Sequence, residues 1–336
     1  MRWRSYLIIV VFGLIPHGFS APATGAQQIP SSLPETVDGA SLAALSDQID
    51  AFARDMERLR RFMGVSETRA LDIGIRDPLP RDLYFQTLTL WENTDRLSFE
   101  VKRVHGLPPA PPSDGTGIPN ILARLRSAHQ LLRQAMQDLQ IAPSRETPAG
   151  TPKSFTEIFN GVLAINRQLN LMLERHISPS EVYRELTLAI GYSARLLARY
   201  PDATRIPPEP PFEPDKQPKD VYLRLIECLQ SIARIFDSQG LAVLKIDPGR
   251  TDLDGLQPSD VYLVASMIVS QLNFLHQHLD IAKPPPQPVY PGLKFPAHSY
   301  QRAGILQAQL RQLERFLATD RAASTRPARL RERETP

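Results

Sequence analysis

The sequence predicts an all-α protein of about eight helices, each of ~20 residues, forming helical-bundle repeats with proline-rich crossover linkers. Three observations predict it. A start signal, Pro-x-[Asp/Glu]-[Val/Leu]-Tyr, occurs four times, at 80–84, 179–183, 218–222 and 258–262. After it, apolar residues recur at alternating steps of four and three, as in Val221, Leu225, Cys228, Ile232 and Ile235, the mark of helices packed side by side. The prolines themselves are periodic. The pairs Pro108-Pro109 and Pro111-Pro112 and then Pro119 stand at the same offsets from Tyr84 as Pro207-Pro208, Pro210-Pro211 and Pro218 do from Tyr183. Around Tyr262 the pattern returns with a slip of about one residue. Around Tyr222 the proline pair is missing.

Each part of the start signal has a reason. Proline suits a helix's first turn, where its missing N–H would have had no partner. The acid two residues later (Asp82, Glu181, Asp220, Asp260) faces the positive end of the helix dipole. Ser178 and Glu181 also make a capping box. Tyr84, Tyr183, Tyr222 and Tyr262 fall just beside the seam, where a ring packs and its hydroxyl finds a polar partner.

In chain order, residues 1–26 read as an export signal: Arg2 and Arg4, an apolar run over 6–15, then the small residues Ser20, Ala23 and Ala26. That run is too short to span a bilayer comfortably, and no other stretch is long and apolar enough. Residues 27–40 form a polar lead expected to be disordered. Helix one is expected over 41–64, capped by Ser41 and Gly64, with the heptad seam Leu42, Leu45, Ile49, Phe52, Met56, Leu59 and Met63. A short extended piece follows over 71–78, apolar at every second position. Helices two to four are expected over 80–104, 119–140 and 152–176. Helix five follows at once from Pro179, predicting an antiparallel hairpin with helix four. Helices six to eight are expected over 218–239, 258–281 and 297–319. A second extended piece, 241–248, ends in Asp247-Pro248 as the first ends in Asp77-Pro78. The basic tail, 320–336, is expected to be disordered. The helical region 41–319 reads as one elongated bundle or two packed bundles, with a possible boundary near 141–151.

The linkers carry a geometric implication. A helix of ~22 residues is ~33 Å long, and a proline-rich link such as 200–217 spans ~50 Å in a polyproline II conformation. Such a link can run back along a helix, so linked helices need not be antiparallel. Proline, at 32 of 336 residues, is about twice its usual share, consistent with packed spacers.

Charge and composition exclude several function classes. Lys and Arg number 39 against 36 Asp and Glu, interspersed, which argues against a nucleic-acid-binding stripe. Cys228 is the one cysteine, so no internal disulfide framework exists; its seam position predicts a buried thiol. The sequence has no metal-binding spacing, nucleophile elbow, P-loop or dinucleotide fingerprint, so neither catalytic residues, metal ligands nor a cofactor are assigned. Histidines 105, 176, 276 and 278 sit near expected helix C-termini, where a cation suits the dipole.

Candidate binding residues are the polar groups on apolar seams. His129 lies in the stripe Leu122, Leu125, Leu132, Met136, Leu139, and Asn166 in the stripe Phe155, Phe159, Val162, Leu169, Leu173. Ser193, Thr87 and Thr94 are also seam-placed. Either these form a polar pocket inside a bundle or each is satisfied in the core and fixes register. The four repeated tyrosines are candidates on the same footing: a ligand-binding ladder or packing at helix starts.

The functional expectation is an exported, periplasmic or secreted, non-catalytic protein that binds a small ligand or an envelope or extracellular partner, as a sensory or scaffolding module. The alternatives are an enzyme whose site assembles from His129 and Asn166, or a purely structural envelope protein. Convergence of His129, Asn166 and an acid on one pocket would discriminate between the first two.

Overall fold

A computed structural model describes residues 38–66, 73–107, 109, 117–145, 153–173, 177–251, 253–281 and 283–325 of the chain. The expected export signal lies outside these residues, as do 326–336 of the tail and His176. The protein is all-α, with eight helices among the described residues: α1 Gly39–Phe62, α2 Pro80–Lys102, α3 Ile118–Asp138, α4 Phe155–Met172, α5 Pro179–Leu197, α6 Pro218–Ser238, α7 Pro258–His278 and α8 Pro296–Thr325. Two short strands, β1 Ile75–Arg76 and β2 Lys245–Ile246, pair antiparallel.

The start signal works as a cap in all four copies. Asp82, Asp220 and Asp260 each accept the backbone N–H of the residue before the proline, at 2.8–2.9 Å, and Glu181 does the same to Ser178 at 2.9 Å. The acid therefore satisfies an orphan donor as well as facing the dipole. At α1 the cap differs from expectation. Asp38, not Ser41, holds the N-cap, its carboxylate accepting Ser41 N at 2.7 Å and Ser41 Oγ at 2.9 Å. An ionised carboxylate is the stronger acceptor at a helix N-terminus. At α4 the cap is Ser154 with Glu157, so the helix starts three residues after Pro152.

The seams are buried as the period requires. Val221, Leu225, Cys228, Ile232 and Ile235 are all buried, as are Val182, Leu186, Ala189, Ser193 and Leu196. The helices sort into two groups by packing. In the first, α1 and α2 each pack on α3 and α4; in the second, α5 and α6 each pack on α7 and α8. The segment 141–151 lies between α3 and α4, inside the first group.

In the second group the helices are parallel. The first turns of α5, α6, α7 and α8 meet at one end, where Pro179, Pro218, Pro258, Pro296, Val182, Val221 and Val261 surround a small apolar gap. In the first group, Tyr84 meets Arg124, Trp91 meets Ser127 and Lys102 meets Asp138, so α2 and α3 ascend together. The linkers make this possible. Residues 204, 205, 209 and 210 bond to 312, 309, 302 and 301 of α8 in turn, so this linker descends the bundle while α8 ascends it. The next linker does the same along α5, from Pro285 beside Gly191 to Lys294 N bonded to Ser180 Oγ at 2.9 Å. A Cβ at Gly304 would lie 2.6 Å from Pro210, so the helix lacks a side chain where the linker crosses it.

The two groups face opposite ways. Asp82, in the first turn of α2, accepts from Gln271 deep in α7, whereas Asp260, in the first turn of α7, reaches Arg167 in α4. This corrects the expected α4–α5 hairpin: the short link reverses direction, but α5 packs on α7 and α8 rather than along α4. Arg81 seals the junction, its guanidinium 4.2 Å from the Phe274 ring centre and bonded to Ala242 O. The strands close it from the side. Asp247 N bonds Gly74 O at 2.8 Å, and a Cβ at Gly74 would stand 2.1 Å from Asp247 O, so only glycine allows the approach.

Candidate functional site: a cavity at the junction of the two bundles

The face of α4 that leaves the first core carries Asn160, Leu163, Ala164, Arg167 and Asn170, at steps of three, one, three and three. Asparagine is a poor helix former, costing up to roughly 0.7 kcal/mol relative to alanine. Asn160, Asn166 and Asn170 on one short helix therefore ask for a reason. Opposite stand Gln86 and Thr89 of α2 and Ser259, Asp260, Tyr262, Leu263 and Ser266 of α7. Between them is a cavity of about 230 Å³.

Its electrostatics are balanced. Arg167 Nη1 lies 3.3 Å from Asp260 Oδ1, while Asp260 Oδ2 accepts Gln257 N at 2.9 Å. Burial pushes the Asp260 carboxyl above its ordinary range, and the Gln257 hydrogen bond and the Arg167 charge oppose that shift. Gln86 is 3% exposed, lines the cavity, and its carboxamide makes no hydrogen bond among the described residues. It is not among the fully buried unpartnered groups, so its amide atoms keep contact with the cavity.

Of the candidates read from the sequence, Asn166 and Tyr262 line this one cavity. Asn166 is tied to α2: its Nδ2 donates to Gln86 O at 3.1 Å, and its Oδ1 accepts from Asn93 Nδ2 at 3.3 Å. It holds the wall in register. Tyr262 is half-buried and lines the cavity.

His129 is elsewhere, between α3 and α1. Gln48 Nε2 donates to its Nδ1 at 2.9 Å, and its Nε2 donates to Asp55 at 2.8 Å. Asp55 is fully buried. Burial alone would raise its pKa, but hydrogen bonds from His129, Ser144 and Arg133 hold it well below the usual carboxylate range. Both ring nitrogens of His129 are thus engaged, although the ring borders an open depression beside Arg126 and Gln130.

The other three tyrosines do not meet. Tyr84 is buried against Arg124, whose Nη2 reaches the hydroxyl at 3.1 Å. Tyr183 is half-buried between Lys294 of the linker and Arg302, each about 5 Å from its ring centre. Tyr222 is fully buried, its hydroxyl 2.9 Å from Thr251 Oγ1 and 3.5 Å from Ile73 O. Each sits at the same place on its helix and meets a different neighbour.

The remaining polar seam residues are mostly satisfied locally. Thr87 and Thr94 donate to Tyr84 O and Leu90 O, both at 2.7 Å, while Ser193 Oγ has no partner among the described residues. His276 departs from the dipole expectation. It is 2% exposed, burial lowers its pKa, and its Nε2 bonds Lys283 O at 3.0 Å, so it serves as a neutral clasp for the linker. Among the described residues, no cluster of histidine, cysteine or acid is placed to hold a metal ion.

The sequence reading missed Gln86, Asn160, Asn170 and the place of Arg167 on the cavity wall. The spacing of asparagines on α4 was the available signal. No protein-family model, curated protein or solved structure matches the chain.

Proposed function

We propose that the protein is a non-catalytic binding protein that takes a small ligand into the cavity between α2, α4 and α7. The observation that carries this is a cavity of about 230 Å³ around which three helices gather Gln86, Asn160, Asn170, Ser259 and the Arg167–Asp260 pair. The enzyme alternative loses its main support. His129 and Asn166 border different cavities, and the polar atoms of each are taken up by structural hydrogen bonds.

The walls come from both bundles, so an occupied cavity would bear on their contact, as a sensory module requires. The test is Gln86→Leu. It should melt near the wild-type temperature without ligand, because the carboxamide makes no hydrogen bond among the described residues. It should also lose every thermal shift that a metabolite library produces in the wild type. A variant that melts several degrees lower and still responds to the same compounds would give Gln86 a structural role instead.

Export to the periplasm or exterior belongs to the same proposal, resting on the basic, apolar and small-residue order of 1–26. Mass spectrometry of the protein from its native host should find an N-terminus between Ala21 and Gln27; an intact Met1 would contradict it. The repeat is proposed on the recurring cap and proline spacing, which the four start signals share.

A further inference from the structure

We propose that the cavity binds a neutral, polyhydroxylated molecule the size of a single sugar ring. This rests on the reading of the cavity as a ligand site and specifies its occupant.

Charge decides first. The wall holds one guanidinium and one carboxylate, Arg167 and Asp260, already paired at 3.3 Å. A net anion or net cation entering here finds no uncompensated opposite charge and still gives up its hydration. A zwitterion has to compete with the pair for each of its own charges. An uncharged ligand leaves the pair intact.

Hydrogen-bonding capacity decides next. The other polar groups facing the cavity, among them Gln86, Asn160, Asn170 and Ser259, are carboxamides and hydroxyls that both donate and accept. The carboxamide of Gln86 alone presents two N–H donors and an oxygen with two lone pairs. Hydroxyl groups are the complement to such a wall, because each also donates and accepts. A purely apolar ligand would displace water from the Gln86 carboxamide without replacing its hydrogen bonds. The remaining wall is apolar: the Tyr262 ring with Leu163 and Leu263. A pyranose or cyclitol has matching parts, a rim of hydroxyls and a face of C–H groups that packs on an aromatic ring. The cavity's 230 Å³ is room for roughly eight waters at ~30 Å³ each, about the volume a single sugar ring displaces.

The test titrates the full chain with D-glucose, D-galactose, D-mannose and myo-inositol, and in parallel with glycine, L-glutamine and inorganic phosphate. Melting temperature and calorimetric heat are both followed. At least one polyol should bind saturably, and Asn170→Ala and Gln86→Leu should each weaken it tenfold or more, while phosphate and the amino acids give no saturable signal. Binding of an amino acid or phosphate that Gln86→Leu abolishes would overturn the ligand class and leave the cavity as the site. Responses that survive in both variants, or no response to any polyol, would overturn the proposal, and the survival of responses in both variants would also remove the cavity as the site.

Discussion

Arg167 of α4 and Asp260 at the start of α7 lie 3.3 Å apart across the junction of two oppositely directed bundles. Asp260 thus does two tasks: it caps its own helix through Gln257 N and anchors the neighbouring bundle through Arg167. Arg167→Met leaves a nearly buried carboxylate without its countercharge. The expected loss is about 2–3 kcal/mol, below the range for fully buried pairs because Arg167 keeps some solvent contact. Asp260→Asn keeps the acceptor for Gln257 and removes the charge, so the double variant should be more stable than Arg167→Met alone. Chemical denaturation of the three variants checks this, and equal stability of the single and double variants would deny the coupling.

The pH dependence has a specific source in α5. Glu185 is half-buried, and desolvation raises its carboxyl to about 7, with Arg184 opposing and Glu92 reinforcing the shift. The folded protein then holds a proton that the unfolded chain releases. Stability is full below the ordinary glutamate range and declines as pH rises towards 7. Glu185→Gln should flatten this decline and raise the melting temperature at pH 8 by about 2 °C or more. Melting curves from pH 5 to 8 measure it; the same slope in variant and wild type would contradict it.

Cys228 is fully buried in the α6 seam, its Sγ 4.0 Å from Ala303 O of α8, and burial pushes the thiol up to about 12. A thiol reagent should label it slowly in the native state and rapidly after unfolding. Cys228→Ala should cost roughly 1–2 kcal/mol. Rapid, stoichiometric labelling of the native protein would contradict the burial.

The parallel bundle depends on the linkers lying in its grooves. Gly304→Val puts a branched side chain where Pro210 crosses α8 at close range. It should lift the linker and cost about 1–3 kcal/mol, as overpacking does. Hydrogen exchange should then rise at Thr204, whose backbone N–H bonds Gln312. Unchanged protection would show that the linker holds independently of this contact.

Much of the fold was legible in the sequence, and for a physical reason. The cap signal and the four-three period are local, so they report helix starts and buried faces such as Val221 to Ile235 directly. The long proline linkers also allowed parallel helices, because reach is a local property. Partner choice is not local: nothing in the period of α5 says that it turns from α4 to α7 and α8. The cavity was less legible still. Gln86, Asn160 and Asn170 lie off the seams and look like ordinary solvent-facing polar residues, and Asp260 was already explained as a cap. Only a second bundle closing over α4 gathers those residues around one cavity. His129 was found by its pattern, but its satisfaction by Gln48 and Asp55 depends on α1, which the stripe on α3 does not reveal.

Ala164 tests the central claim without touching a hydrogen bond. It is an exposed position on the cavity wall, and Ala164→Trp fills the space while leaving Gln86, Asn166, Arg167 and Asp260 in place. Wild type and variant are melted against the same metabolite library. Equal melting temperatures are expected without ligand, with at least one compound shifting the wild type saturably and the variant not at all. Identical responses in the two proteins, or no saturable response in the wild type, would contradict it.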